Sequence, residues 1–175
     1  MQTLQNSEQT ITYSCRHLAD LLIKSGQMLA TAESCTGGMI SAACTDLAGS
    51  SAWFERGFVT YSNAAKTELL GVDAALIAAH GAVSEEVARA MAAGAIARSQ
   101  AQVSVAVTGV AGPTGGSRAK PVGTVCFAWS VGGVVTSEVQ HFPGDRAAVR
   151  AATVAHALEQ LVRLLGPQPL QESPP

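Results

Sequence analysis

Two rhythms of apolar residues run along this chain: positions spaced three or four apart, and short, nearly unbroken runs. Ile11, Cys15, Leu18 and Leu22 follow the first and predict a helix, which Gly26 stops just past Lys24-Ser25. Residues 1–10 are polar and read as a flexible lead. Leu29–Glu33 follows the second rhythm and predicts a buried strand, and from Gly37 the helical spacing returns with Met39, Ile40, Ala43 and Leu47. Phe54 to Tyr61, rich in aromatic and β-branched residues, predicts a second strand. Ser62-Asn63 then caps a short helix through Lys66 and Leu70 that ends at Gly71. Asp73 to Ala79 reads as another short helix. Ser84, with Glu85 and Glu86 behind it, starts a longer one to about Ser99. Val103–Val107 has the character of a central strand covered on both faces. Val122–Val131 and Val134–Phe142, around Gly132-Gly133, form a hairpin. Asp145 caps a last helix to about Leu165, and residues 166–175 read as a flexible tail.

Helices interleaved with strands and closed by a hairpin define an α/β chain. The arrangement expected is a three-layer α/β/α domain over residues 11–165, with a mixed, partly parallel sheet. Strands joined by helical crossovers run parallel, and ligands of such sheets sit beyond the carboxyl ends of the strands. The loops Ser34–Gly38, Tyr61–Lys66 and Thr108–Gly116 all fall at such ends, which predicts one shared site.

Composition narrows the choice of function. Of 175 residues 47% are hydrophobic and only 14% charged, which excludes a disordered chain and suits one domain with a substantial core. A net charge of −2 with no basic run gives no footprint for nucleic acid. Cys15, Cys35, Cys44 and Cys126 lack metal-ligand spacing and read as small buried hydrophobes. No apolar run approaches the ~18 residues that span a bilayer, and no signal-peptide pattern opens the chain, so a cytoplasmic location is the expectation. The alanine-rich 84–99 helix and low charge point to a homo-oligomer, a homodimer or higher.

The candidate chemistry lies in the loops. Gly37-Gly38 lets the backbone turn tightly beside Ser34. The first N–H groups of the helix that follows would then point at whatever lies above that hydroxyl. This suits attack on a carbonyl or the binding of an anion; the plainer reading makes Ser34 or Thr36 an N-cap. Lys66 serves as a base if a small-residue pocket lowers its pKa, and is otherwise a solvated lysine paired with a carboxylate. Cys35 is the rival nucleophile, but His17, His80, His141 and His156 read as surface or packing residues rather than its activator. The Gly109–Gly116 loop lacks both the P-loop and the dinucleotide-binding spacing, yet suits an anion nest. Lys120 and Arg146 are cations within reach of it in sequence, while Arg118 reads as a solvated charge. No HExxH or GxSxG motif is present.

These residues also carry a resemblance. Ala32-Glu33-Ser34-Cys35-Thr36-Gly37-Gly38, Gly57-Phe58-Val59-Thr60-Tyr61-Ser62-Asn63 with Lys66, Gly81-Ala82-Val83-Ser84, Thr108 through Gly116, Lys120 through Val125 and Phe142-Pro143-Gly144-Asp145-Arg146 occur in that order. Together they resemble the CinA C-terminal domain family, and within it the stand-alone bacterial nicotinamide mononucleotide deamidases. The resemblance implies hydrolysis of nicotinamide mononucleotide to nicotinate mononucleotide and ammonia, a step in pyridine nucleotide salvage, without metal or cofactor. It implies Ser34 as nucleophile and Lys66 as base. On that reading Tyr61 and Asn63 position the base or the ribose. Backbone donors around Cys35, Thr36, Gly37 and Gly38, or at Thr108-Gly109, hold the oxyanion. Gly112, Thr114, Gly115 and Gly116, with Arg146 or Lys120, hold the phosphate. The rival readings are a nucleotide- or partner-binding module of the same fold without catalysis, and an amidase for another small amide.

Overall fold

Side chains alternate across the strands, and this alternation divides the interior into two cores. The computed structural model describes residues 2–166, with side chains from residue 7 onward. The elements are α1 (Gln2–Ser25), β1 (Leu29–Glu33), α2 (Met39–Thr45), β2 (Phe54–Val59), α3 (Asn63–Leu70), α4 (Ala74–His80), α5 (Glu85–Ala97), β3 (Val103–Gly109), β4 (Thr124–Val131), β5 (Val134–His141) and α6 (Arg146–Leu165). A single turn of 3-10 helix, Ser50–Ala52, precedes β2.

The five strands lie in the order β2-β1-β3-β4-β5. β1 runs parallel to β2 and to β3, whereas β3, β4 and β5 pair antiparallel. Leu29, Val103, Val105, Val107, Phe127 and Trp129 face one side and pack under α1, α2 and α6. Ala30, Ala32, Ala106, Cys126 and Ala128 face the other and pack under α3, α4 and α5. The result is the three-layer mixed α/β arrangement expected from the sequence. The second face is lined by small residues, so its helices ride close. A Cβ on Gly94 of α5 would lie 2.1 Å from the carbonyl oxygen of Leu70, at the end of α3.

Four helices start on the caps the sequence marks or borders. Ser62, Asp73, Ser84 and Asp145 accept the amides of Ala65, Ala75, Val87 and Ala148, so each satisfies a donor that a helix start leaves free.

β2 stops at Val59 and β4 starts at Thr124, each two residues inside the expected strand, and two helices depart further from expectation. α1 reaches back to Gln2 rather than starting at Ile11. No glycine or proline interrupts residues 2–25, and a helix already anchored by packing propagates readily into such a polar stretch. α2 is shorter than its apolar spacing suggests. It starts at Met39 because Gly38, at φ 101°, holds a left-handed conformation that opens the helix, and it ends at Thr45, before Leu47. Of the expected tail, residues 167–175 lie outside the described residues.

Candidate active site

Because β1, β2 and β3 are parallel, their carboxyl ends open on one edge of the sheet. The turn after β1, the loop from β2 into α3 and the glycine-rich loop after β3 meet there around a cleft of about 380 Å³. Ser34, Cys35, Tyr61, Asn63, Lys66, Thr108, Gly109, Gly112, Thr114, Gly115, Gly116 and Arg146 all line it. The strand ladder continues into the site, since Ser34 N–H donates to Val107 O at 3.0 Å and Thr60 N–H to Glu33 O at 2.8 Å.

Lys66 is buried at 1% exposure, one turn into α3. Its Nζ donates to Ser34 Oγ at 3.2 Å and to Thr60 O at 2.8 Å. Among the described residues it makes no ion pair, so the solvated, carboxylate-paired lysine does not occur. Burial pushes its pKa below the ordinary lysine value, with the nearby Cys35 opposing weakly. The shift favours the neutral amine, the form whose lone pair can accept the serine proton, while Thr60 O fixes the direction in which the amine points.

Cys35 sits beside this pair but is chemically quiet. Burial pushes its thiol up to about 11, so at neutral pH it carries little thiolate. None of the four histidines lines the cleft. His17 stacks edge-on against Tyr13, His141 Nδ1 meets Thr124 Oγ1, and His156 packs among Phe127, Trp129 and Phe142 while contacting Glu138. His80 closes α4 near Glu86.

Several residues expected at the ligand make bonds within the scaffold. Neither Ser34 nor Thr36 caps α2; Gly38 occupies that position without a side-chain bond. Thr36 is fully buried and its Oγ1 donates to Glu33 Oε2 at 2.7 Å. Thr36, Gly37 and Gly38 do not line the cleft. The free N–H groups of α2 do not point above Ser34 either, because the Glu33 carboxylate accepts them from Gly38, Ile40 and Ser41. Lys120 lies in a neighbouring cleft with His80 and Glu86, and donates from Nζ to His80 O at 3.0 Å. Arg118 is exposed.

Arg146 is the cation that the structure brings to the glycine-rich loop. Its Nη1 donates to Gly112 O at 2.9 Å and its Nη2 to Tyr61 Oη at 3.1 Å. One turn further along α6, Arg150 donates to Cys35 O at 3.2 Å and to Thr36 O at 2.8 Å. The start of α6 therefore braces both the serine turn and the glycine-rich loop. Sequence reasoning missed Arg150 and the role of Glu33. The four-residue spacing of Arg146 and Arg150 was the available signal, since it places both on one face of a helix.

A buried serine–lysine pair at the carboxyl ends of parallel strands, walled by a glycine-rich loop, agrees with the motifs noted in the sequence. The chain belongs to the CinA C-terminal domain family, which matches residues 12–165. Among curated relatives, the nicotinamide-nucleotide amidohydrolase PncC of Pseudomonas putida is 55% identical over 154 residues, 88% of this chain and 96% of its own. The protein of the same name from Escherichia coli K12 is 53% identical over 137 residues, 78% of this chain and 83% of its own. The solved structure of the competence/damage inducible protein CihA from Agrobacterium tumefaciens superposes with a TM-score of 0.85 at 47% identity, covering 89% of this chain and 95% of that one.

Proposed function

We propose that this protein is a nicotinamide-nucleotide amidase that hydrolyses the carboxamide of nicotinamide mononucleotide to nicotinate mononucleotide and ammonia, within NAD salvage. The observation that carries the reading is the buried Lys66 amine 3.2 Å from Ser34 Oγ in an open cleft. The names of two relatives that align over most of their own length support the substrate.

In this mechanism Lys66 acts in its neutral form, which burial favours relative to an exposed lysine, and takes the proton of Ser34 as Oγ attacks the carboxamide carbon. The resulting oxyanion is held by backbone amides lining the cleft, with the Cys35 N–H next to the nucleophile as the first candidate. Collapse of the tetrahedral species returns the proton from Lys66 to the departing nitrogen, which leaves as ammonia. Water, deprotonated by the same amine, then cleaves the acyl ester and restores Ser34. Arg146 and the amides of the glycine-rich loop hold the phosphate, and Tyr61 steadies Arg146 through its hydroxyl.

The test is ammonia release, with EDTA present, from nicotinamide mononucleotide beside nicotinamide riboside. The reading predicts turnover of the nucleotide and a large loss of kcat/KM without the phosphate. Tight nucleotide binding with no ammonia from either compound would favour the binding-module reading instead.

A further inference from the structure

We propose that Glu33 is the positioning residue of this active site, its buried carboxylate fixing the serine turn so that Ser34 and Lys66 stay in register. The proposal rests on the serine–lysine reading above. Glu33 is fully buried, it does not line the cleft, and the mechanism gives it no contact with substrate. Both of its oxygens are nonetheless saturated with donors. Oε1 accepts from Ser41 N–H at 2.8 Å, Ser41 Oγ at 2.8 Å and Thr31 Oγ1 at 3.3 Å. Oε2 accepts from Thr36 Oγ1 at 2.7 Å, Gly38 N–H at 3.0 Å and Ile40 N–H at 3.0 Å.

Taking a carboxylate out of water is costly even when it is fully bonded. The same chain shows the cheaper solution: α3, α4, α5 and α6 are each capped by a serine or aspartate immediately before the helix. Among the described residues, only the helix that follows the nucleophile has its amides held by a glutamate from the preceding strand. That device does what a local cap cannot. It ties residues 36, 38, 40 and 41 to the strand end from which Ser34 projects, so the turn carrying the nucleophile moves only with the sheet.

Glu33 also reaches the base. Its backbone carbonyl accepts Thr60 N–H at 2.8 Å, and Thr60 O accepts Lys66 Nζ at 2.8 Å. One residue thus joins the support of the nucleophile, its chain neighbour, to the support of the amine.

The experiment compares wild type with Glu33→Gln, Thr36→Val and Ser41→Ala. The first puts an NH2 group against donors; the others each remove one hydroxyl from the carboxylate. Each protein is treated with a fluorophosphonate, which reports Ser34 without requiring any natural substrate. The labelling amplitude counts folded sites and the labelling rate reads serine reactivity. Steady-state kcat and KM on nicotinamide mononucleotide are measured alongside. A displacement of ~1 Å at a reacting atom costs about 10²-fold, and Glu33→Gln should lower labelling rate and kcat on that scale while KM holds. Thr36→Val and Ser41→Ala should lower both rates by smaller factors at undiminished amplitude, which decides the matter if Glu33→Gln does not fold.

Losses confined to amplitude, with wild-type rates at the sites that remain, would overturn the proposal and leave Glu33 a purely structural cap. Wild type that labels at Ser34 but releases no ammonia would sink the substrate assignment, while the labelling rates still judge Glu33. Wild type unlabelled at Ser34 would overturn the serine reading and this proposal with it.

Discussion

Lys66 Nζ stands 3.2 Å from Ser34 Oγ with its side chain sealed from solvent, an amine that touches a hydroxyl and a carbonyl but no carboxylate. A lysine placed there for stability alone would be a poor choice, because burial works against its charged form.

That conflict predicts opposite effects on stability and activity. The unfolded chain keeps the Lys66 proton up to an ordinary pKa of about 10.4, whereas burial makes the folded protein release it at lower pH. Between the two values the unfolded state binds more protons, so stability rises with pH across that window. Below the folded value the amine is protonated in both states and the desolvation cost is present in full. Lys66→Met should therefore raise the melting temperature at pH 7, by about 2–4 °C for each 1 kcal/mol recovered, and abolish turnover. It should also flatten the alkaline rise in stability. Thermal melts across pH 7 to 11, for wild type and variant, check this.

The same shift sets the pH–rate profile. kcat/KM should fall toward acid through a single proton uptake whose midpoint lies below the ordinary lysine value, as Lys66 becomes protonated. Lys66→Arg, which cannot give up its proton in the working range, should lack activity at every pH tested.

Cys35 should prove dispensable. With its thiol pushed up to about 11 it is a packing residue next to the nucleophile rather than a nucleophile. Cys35→Ala should retain kcat within about threefold, and iodoacetamide at pH 8 should leave wild-type activity intact. Loss of turnover in both experiments would return Cys35 to the mechanism.

Arg146 and Lys120 look alike in the sequence as phosphate partners, and the structure separates them. Arg146 lines the cleft, while Lys120 is spent on His80 O outside it. Arg146→Ala should raise KM for the mononucleotide by about tenfold or more, the scale of one lost charge-assisted hydrogen bond. Lys120→Ala should leave KM close to wild type.

The sheet and its helices were legible because they rest on periodicity and on local caps such as Ser62, Ser84 and Asp145. The convergence of the three loops followed from topology. The rest was not legible, each part for a physical reason. Lys66 was a candidate base from the sequence, but its neighbours on a short helix do not reveal that Ser34 Oγ and the Thr60 carbonyl meet its buried amine. Glu33 is a polar residue at a strand end, where most glutamates meet water, and its donors become visible only once Gly38 opens the following turn. The bonds from Arg150 to Cys35 and Thr36 cross more than a hundred residues of chain. The extension of α1 back to Gln2 escaped for the opposite reason: the stretch is polar, and no breaker marks where it stops.

Packing at Gly94 gives a prediction independent of the chemistry. Helix propensity favours alanine over glycine by about 1 kcal/mol, but a Cβ here meets the Leu70 carbonyl oxygen at 2.1 Å. Overpacking should win, so Gly94→Ala should be destabilised, by about 1–3 kcal/mol in denaturant unfolding. A stabilised variant would mean that α3 and α5 are less closely seated than described.

The most direct test of the central claim is ammonia release from nicotinamide mononucleotide by wild type, Ser34→Ala and Lys66→Ala, with each variant shown to fold. The account predicts robust turnover by wild type and its loss in both variants through kcat rather than KM alone. Near-wild-type kcat in Ser34→Ala, or a Lys66→Ala defect confined to KM, would contradict it.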